Sequence, residues 1–141
     1  MEIDRKRITQ YLYEIQANTE DLNSILNEFT DEKLIENKRL LKSIKFSLVE
    51  IAEAISLIIQ HILAKKYLTP VKGYIDTINK AYEKGIIDQD IYNSLKPFFD
   101  FRNTLIHRYW DIKEEVLIRN LRENLQKFYE FTEAIRKKFL Q

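Results

Sequence analysis

A chain of 141 residues has the length of one domain, and 45% hydrophobic with 32% charged residues is a globular balance, too apolar for disorder. A net charge of +1 argues against broad, strong attraction to polyanions, and the absence of cysteine excludes disulfides and thiolate metal sites. Two glycines and two prolines leave little material for hairpins and point to long helices.

The first helix is expected from about Ile3 to Phe29. Ile8, Leu12, Ile15, Leu22, Leu26 and Phe29 alternate steps of four and three, with Thr19 filling the one polar slot, so one face is buried. Thr30 is the expected N-cap of the second helix, with Asp31 and Glu32 in its first turn. That helix is read as running to Lys66 along Leu41, Ile44, Leu48, Ile51, Ile55, Ile58 and Ile62. Some 34 helical residues would extend about 50 Å at ~1.5 Å each. A globule of this chain length is only about 35–40 Å across. Either the helix kinks, or its surplus apolar surface meets a second subunit; a homodimer is the expectation.

Thr69 and Pro70 read as N-cap and first residue of a short third helix ending at Gly85. Asp88 caps a fourth, which Asn93, Ser94 and Pro97 should interrupt, with a restart from Pro97 to about His107. Asp111 and Glu114 have the spacing of a capping box for a last helix whose core face is Leu117, Leu121, Leu125, Phe128, Ile135 and Phe139. The expected fold is all-α, an antiparallel bundle of four to five helices over residues 1–141. Met1 to Arg7 lacks the apolar stretch of a secretory signal, and Leu57 to Leu63 is interrupted by Gln60 and His61. No membrane contact and a cytoplasmic setting are expected.

The segment Arg102, Asn103, Thr104, Leu105, Ile106, His107, Arg108, Tyr109 concentrates chemistry. It holds a permanent cation, one of only two histidines, and a phenol. A guanidinium grips phosphate oxygens and an imidazole moves protons near neutral pH. Asn103 and His107 are four apart and share a helical stripe. Arg102 and His107 are five apart, roughly 140° around the barrel. To meet at one phosphate, either the helix unwinds near His107 or a two-fold axis joins the motifs of two subunits.

Each residue also has a plain structural role to weigh. His107 could cap a carbonyl, Arg102 could pair with Asp100 or Asp111, and Tyr109 could plug a bundle end. His61 reads as core-facing or dimer-facing packing. The basic pairs Lys42 and Lys45, Arg119 and Arg122, and the run Arg136 to Lys138 read as solvated faces. No His/Asp/Glu cluster has metal-ligand spacing, no glycine-rich phosphate loop is present, and no serine or cysteine nucleophile neighbours a histidine. No metal and no cofactor are expected.

Arg102 through Tyr109 resembles the Arg-x4-His-x-Tyr signature of the HEPN superfamily, specifically the HepT-type toxins of prokaryotic toxin–antitoxin pairs. Leu105 and Ile106 before the histidine, and Trp110 to Ile112 after the tyrosine, fit that pattern. The likeness extends to Arg39 through Ile62, to the short helices after Pro70, and beyond Asp111. The resemblance implies a dimeric helical bundle whose paired motifs form a metal-independent RNase site. It makes Arg102 and His107 the catalytic pair and Asn103 an accessory polar residue. Tyr109 becomes the residue that a cognate nucleotidyltransferase antitoxin AMPylates. RNA, the antitoxin and a second copy of the chain are the implied partners. HEPN domains also include non-catalytic members, so a helical module binding a nucleotide or a nucleotidyltransferase stands beside the enzyme, and a purely structural dimer beside both.

Overall fold

The structure is a computed structural model and describes residues 2–107 and 112–141. It contains α1 (Arg5–Glu28), α2 (Asp31–Glu36), α3 (Lys38–Lys66), α4 (Tyr74–Glu83), α5 (Gln89–His107) and α6 (Glu114–Phe139). Four long helices form the bundle, and α2 and α4 are short braces. Side-chain ties fix the directions. Asp4 meets His61 and Asn18 meets Glu50, so α1 and α3 run antiparallel. Arg136 reaches Gln16 and Arg122 reaches Leu26, so α6 is antiparallel to α1. Lys127 pairs with Asp90 and Lys138 holds the carbonyl of Gly85, which sets α5 antiparallel to α6.

The apolar faces read from the sequence are the buried ones. Ile8, Leu12, Ile15, Leu22 and Leu26 of α1, and the seven α3 positions from Leu41 to Ile62, enter one core with residues of every other helix. Thr19 is fully buried and donates its hydroxyl to the Ile15 carbonyl at 2.6 Å, which satisfies it within its own helix. By length and composition α3 could cross a membrane, but it lies at the centre of the bundle, flanked by α1, α4 and α5.

The expected long second helix is two helices. Asn37 takes an extended conformation between them, and its side chain accepts from Leu40 N at 3.1 Å, capping α3. Leu34 and Leu41 are both buried and seven residues apart, so the heptad rhythm runs through the break unmarked. With 29 residues, α3 spans about 43 Å. The break at Asn37 removes most of the surplus length, leaving α3 only slightly longer than a globule of this chain length is wide. Thr30 does cap α2, accepting from Lys33 N at 3.4 Å.

The third helix starts at Tyr74, not at Thr69 and Pro70. Gly73 supplies the turn with φ +92°, Lys80 holds the Pro70 carbonyl at 2.8 Å, and Asp76 accepts from Lys72 N at 2.8 Å. Gly85 ends this unit with φ +74°, and Asp88 caps α5 by accepting from Ile91 N at 2.8 Å. The interruption expected at Asn93, Ser94 and Pro97 is absent: α5 runs unbroken through Pro97. Leu95, Phe98 and Phe99 are buried around the proline, and this packing overrides the missing N–H. The cap of α6 falls on Lys113, with no side-chain acceptor, and Glu114 opens the helix rather than sitting three residues inside it. The expected capping box depends on Asp111, which lies outside the described residues.

Candidate active site

The motif rides on the last turns of α5, which stay helical to His107. Up to His107 the helix does not unwind, and residues 108–111, which follow it, lie outside the described residues. The two side chains consequently face different neighbours.

Arg102 turns towards α3 and α4. Its guanidinium lies over the Tyr74 ring, 3.6 Å from the ring centre, and its Nη2 sits 3.5 Å from Glu53 Oε2. The Tyr74 hydroxyl donates to the same Glu53 oxygen. Burial raises the Tyr74 phenol well above its ordinary range, and the Glu53 carboxylate adds to the shift, so the proton remains on the donor. The edge of Phe99 meets the Tyr74 ring at 5.9 Å between centroids and backs it from the core. Arg102 keeps 17% of its side chain exposed, while its Nε is buried with no hydrogen-bond partner among the described residues. Of the two partners weighed for Arg102, Asp100 faces Lys96 at 3.8 Å while Arg102 meets Glu53, and Asp111 lies outside the described residues.

Asn103 and His107 do share a stripe. With Asp100 and Thr104 they line a shallow open hollow on the other side of α5. Thr104 is tied down by its hydroxyl, which donates to the Asp100 carbonyl at 3.2 Å. His107 is exposed and has no carbonyl cap among the described residues. Tyr109 lies outside the described residues, as do Arg108 and Trp110. Exposed apolar side chains flank this end of the bundle. Ile106, half exposed, adjoins His107. Phe46, 64% exposed, adjoins Lys45, which pairs with Glu114 at the start of α6.

His61 is neither a core packing group nor part of the motif. Its Nε2 accepts from the backbone N–H of Asp4 at 2.9 Å, the N-cap of α1. Burial first, then Arg7 and Lys65, lower its pKa and favour the neutral ring that can accept. Four of the basic residues read as solvated are also engaged: Lys45 is buried, Arg122 binds the Leu26 and Phe29 carbonyls and Asp31, Arg136 reaches Gln16, and Lys138 holds the Gly85 and Ile86 carbonyls.

Glu53 and Tyr74 were not visible as site residues from sequence. Glu53 is a lone carboxylate in the apolar run Ile51 to Ile55, and Tyr74 follows a glycine. Those two oddities were the available signals, and only the bundle topology joins them to Arg102.

A family model described as ribonuclease HepT-like matches residues 15–135, a span that includes Arg102 and His107. No curated protein matches the chain in sequence. Among solved structures, the tri-AMPylated HEPN toxin of Shewanella oneidensis in complex with MNT antitoxin superposes with a TM-score of 0.84 at 18% identity, covering 94% of this chain and 98% of that one. A toxin–antitoxin complex with AMP-PNP gives 0.83 at 18% identity, covering 94% and 99%. A mutant MntA–HpeT toxin–antitoxin complex with a tyrosine changed to alanine gives 0.80 at 20% identity, again covering 94% and 99%. At these identities the likeness is one of fold.

Proposed function

This chain belongs to the HepT-like ribonuclease family, and from that premise we propose that it is a toxin endoribonuclease cutting RNA in the cytoplasm without a metal. The observation that carries the reading is the placement of Arg102 and His107 at the end of α5, inside the matched span. RNA brings its own nucleophile. The His107 imidazole takes the proton of a ribose 2′-OH, and the oxygen attacks the adjacent phosphorus. The bond to the 5′-oxygen breaks, that oxygen takes a proton, and a 2′,3′-cyclic phosphate remains. Arg102 neutralises charge building on the non-bridging oxygens. Asn103, beside His107 in the same hollow, orients the substrate or the ring.

A single subunit holds the guanidinium and the imidazole on different faces of α5, so the working site takes one from each of two subunits. The exposed Ile106 and Phe46 at this end of the bundle support a homodimer built there.

A cognate nucleotidyltransferase antitoxin silences the enzyme by transferring AMP from ATP to the Tyr109 phenol, with pyrophosphate leaving. The added phosphate occupies the anion site of Arg102 and repels the RNA backbone. The AMPylated toxin among the structural relatives supports this step.

A short RNA of mixed sequence tests the chemistry. Cleavage should leave cyclic phosphate ends, stop with a 2′-deoxyribose at the cut position, and vanish in a folded His107→Ala variant. Cleavage that tolerates the deoxyribose would reject the mechanism. A second reading, a non-catalytic module that binds a nucleotide or nucleotidyltransferase, draws on one observation: Glu53 and Tyr74 already engage Arg102. It predicts no cleavage at all.

A further inference from the structure

We propose that Glu53 and Tyr74 are positioning residues for Arg102, holding its guanidinium by one face and one edge so that it meets a phosphate in a fixed orientation. The inference rests on the ribonuclease reading above and adds two residues from helices outside the motif.

Three contacts define the arrangement. The Tyr74 ring lies against the flat face of the guanidinium at 3.6 Å and fixes its plane. The Glu53 carboxylate takes one edge through Nη2 at 3.5 Å and fixes rotation within that plane. The Tyr74 hydroxyl donates to the same carboxylate, so the two holders also hold each other. Burial keeps that phenol protonated across the working pH range, so the donor does not switch off.

The holders are themselves anchored. Tyr74 opens α4 directly after Gly73, whose positive φ sets the turn, and Phe99 of α5 backs its ring. Glu53 sits between the buried Ala52 and Ala54 on the core helix α3. A free arginine side chain has many rotamers, and each one fixed in advance is an entropy cost removed from the transition state. The buried Arg102 Nε, with no hydrogen-bond partner among the described residues, fits a side chain held by its face and edge.

The test combines kinetics with a direct view of the arginine, on the full chain. In RNA cleavage, Tyr74→Leu removes the face and Glu53→Gln removes the charged edge. Each should lower kcat by about 10-fold with KM within about twofold, whereas Tyr74→Phe keeps the ring and should lose less than about threefold. Combined with Arg102→Ala, neither change should cost anything further, because they act only through the arginine. In nitrogen-15 NMR, the buried Arg102 Nε–H should exchange slowly in the wild type and in Tyr74→Phe, and fast in Tyr74→Leu. If Tyr74→Leu does not fold, Glu53→Gln, on a half-exposed side chain, carries the same test. Wild-type kcat in both variants, losses that add to that of Arg102→Ala, or faster cleavage in Glu53→Gln would each overturn the inference while leaving the ribonuclease reading intact. A wild type that cuts no RNA would take down both, and the exchange data would show whether the clasp exists apart from catalysis.

Discussion

Replacing Arg102 by alanine should separate activity from stability. The structure allows both effects to be sized. The ion pair to Glu53 is 3.5 Å long and its acid is 47% exposed, so solvent screening leaves it roughly 0.5 kcal/mol. Stacking on Tyr74 adds about 1 kcal/mol. Against these, the substitution removes a buried Nε that has no hydrogen-bond partner among the described residues, a cost of about 1–2 kcal/mol. The net change in folding free energy should stay within about 1 kcal/mol, or roughly 3 °C in Tm. Catalysis loses a preorganised donor to the developing oxyanion, worth about 10²–10³ in rate. Urea unfolding followed by circular dichroism gives the first quantity, and cleavage of a fluorescent RNA gives the second. A variant that loses more than about 3 kcal/mol of stability, with activity falling in step, would make Arg102 a structural residue and refute this reasoning.

Three further outcomes are expected. Protonating His61 removes the acceptor at the start of α1; its folded pKa lies below 6.5, so its contribution is present above that pH and lost as pH falls through the folded value. Urea midpoints at pH 7.5 and 5.5 should therefore differ more in the wild type than in His61→Gln, and an unchanged difference would exclude the role. Arg122→Ala deletes two carbonyl contacts at 2.8 Å and the Asp31 pair, and should cost about 2 kcal/mol by chemical denaturation; a loss under ~0.5 kcal/mol would contradict it. Leu68 has φ 48° and is largely exposed, so Leu68→Gly should stabilise the chain by about 0.5–1 kcal/mol, measured by Tm, and a lower Tm would show the strain to be absent.

Periodicity carries the bundle. The faces of α1, α3 and α6 are legible because each apolar step of three or four lands on the core, and Thr19 is legible because a threonine can satisfy itself within its own helix. Asn37 hides because Leu34 and Leu41 keep the heptad in phase across it. Pro97 misleads for the opposite reason: a strong local signal yields to the buried Leu95 before it and Phe98 and Phe99 after it. Gly73 loses to the more conventional Thr69 and Pro70 because nothing local announces the hold of Asp76 and Lys80 on that loop. In the site, spacing does place Asn103 with His107 and sets Arg102 apart from both. The partners of Arg102 come from α3 and α4, and contacts between separate helices leave no trace in a single periodic pattern.

The central claim is that guanidinium and imidazole serve one cleft from two subunits. Mixing the inactive Arg102→Ala and His107→Ala proteins, after unfolding and refolding them together, tests it most directly. Mixed dimers keep one intact pairing, so cleavage should return to roughly a quarter of the wild-type rate, the share expected from random pairing of subunits with one working site in each mixed dimer. A mixture as inactive as its components, with subunit exchange verified, would contradict the account.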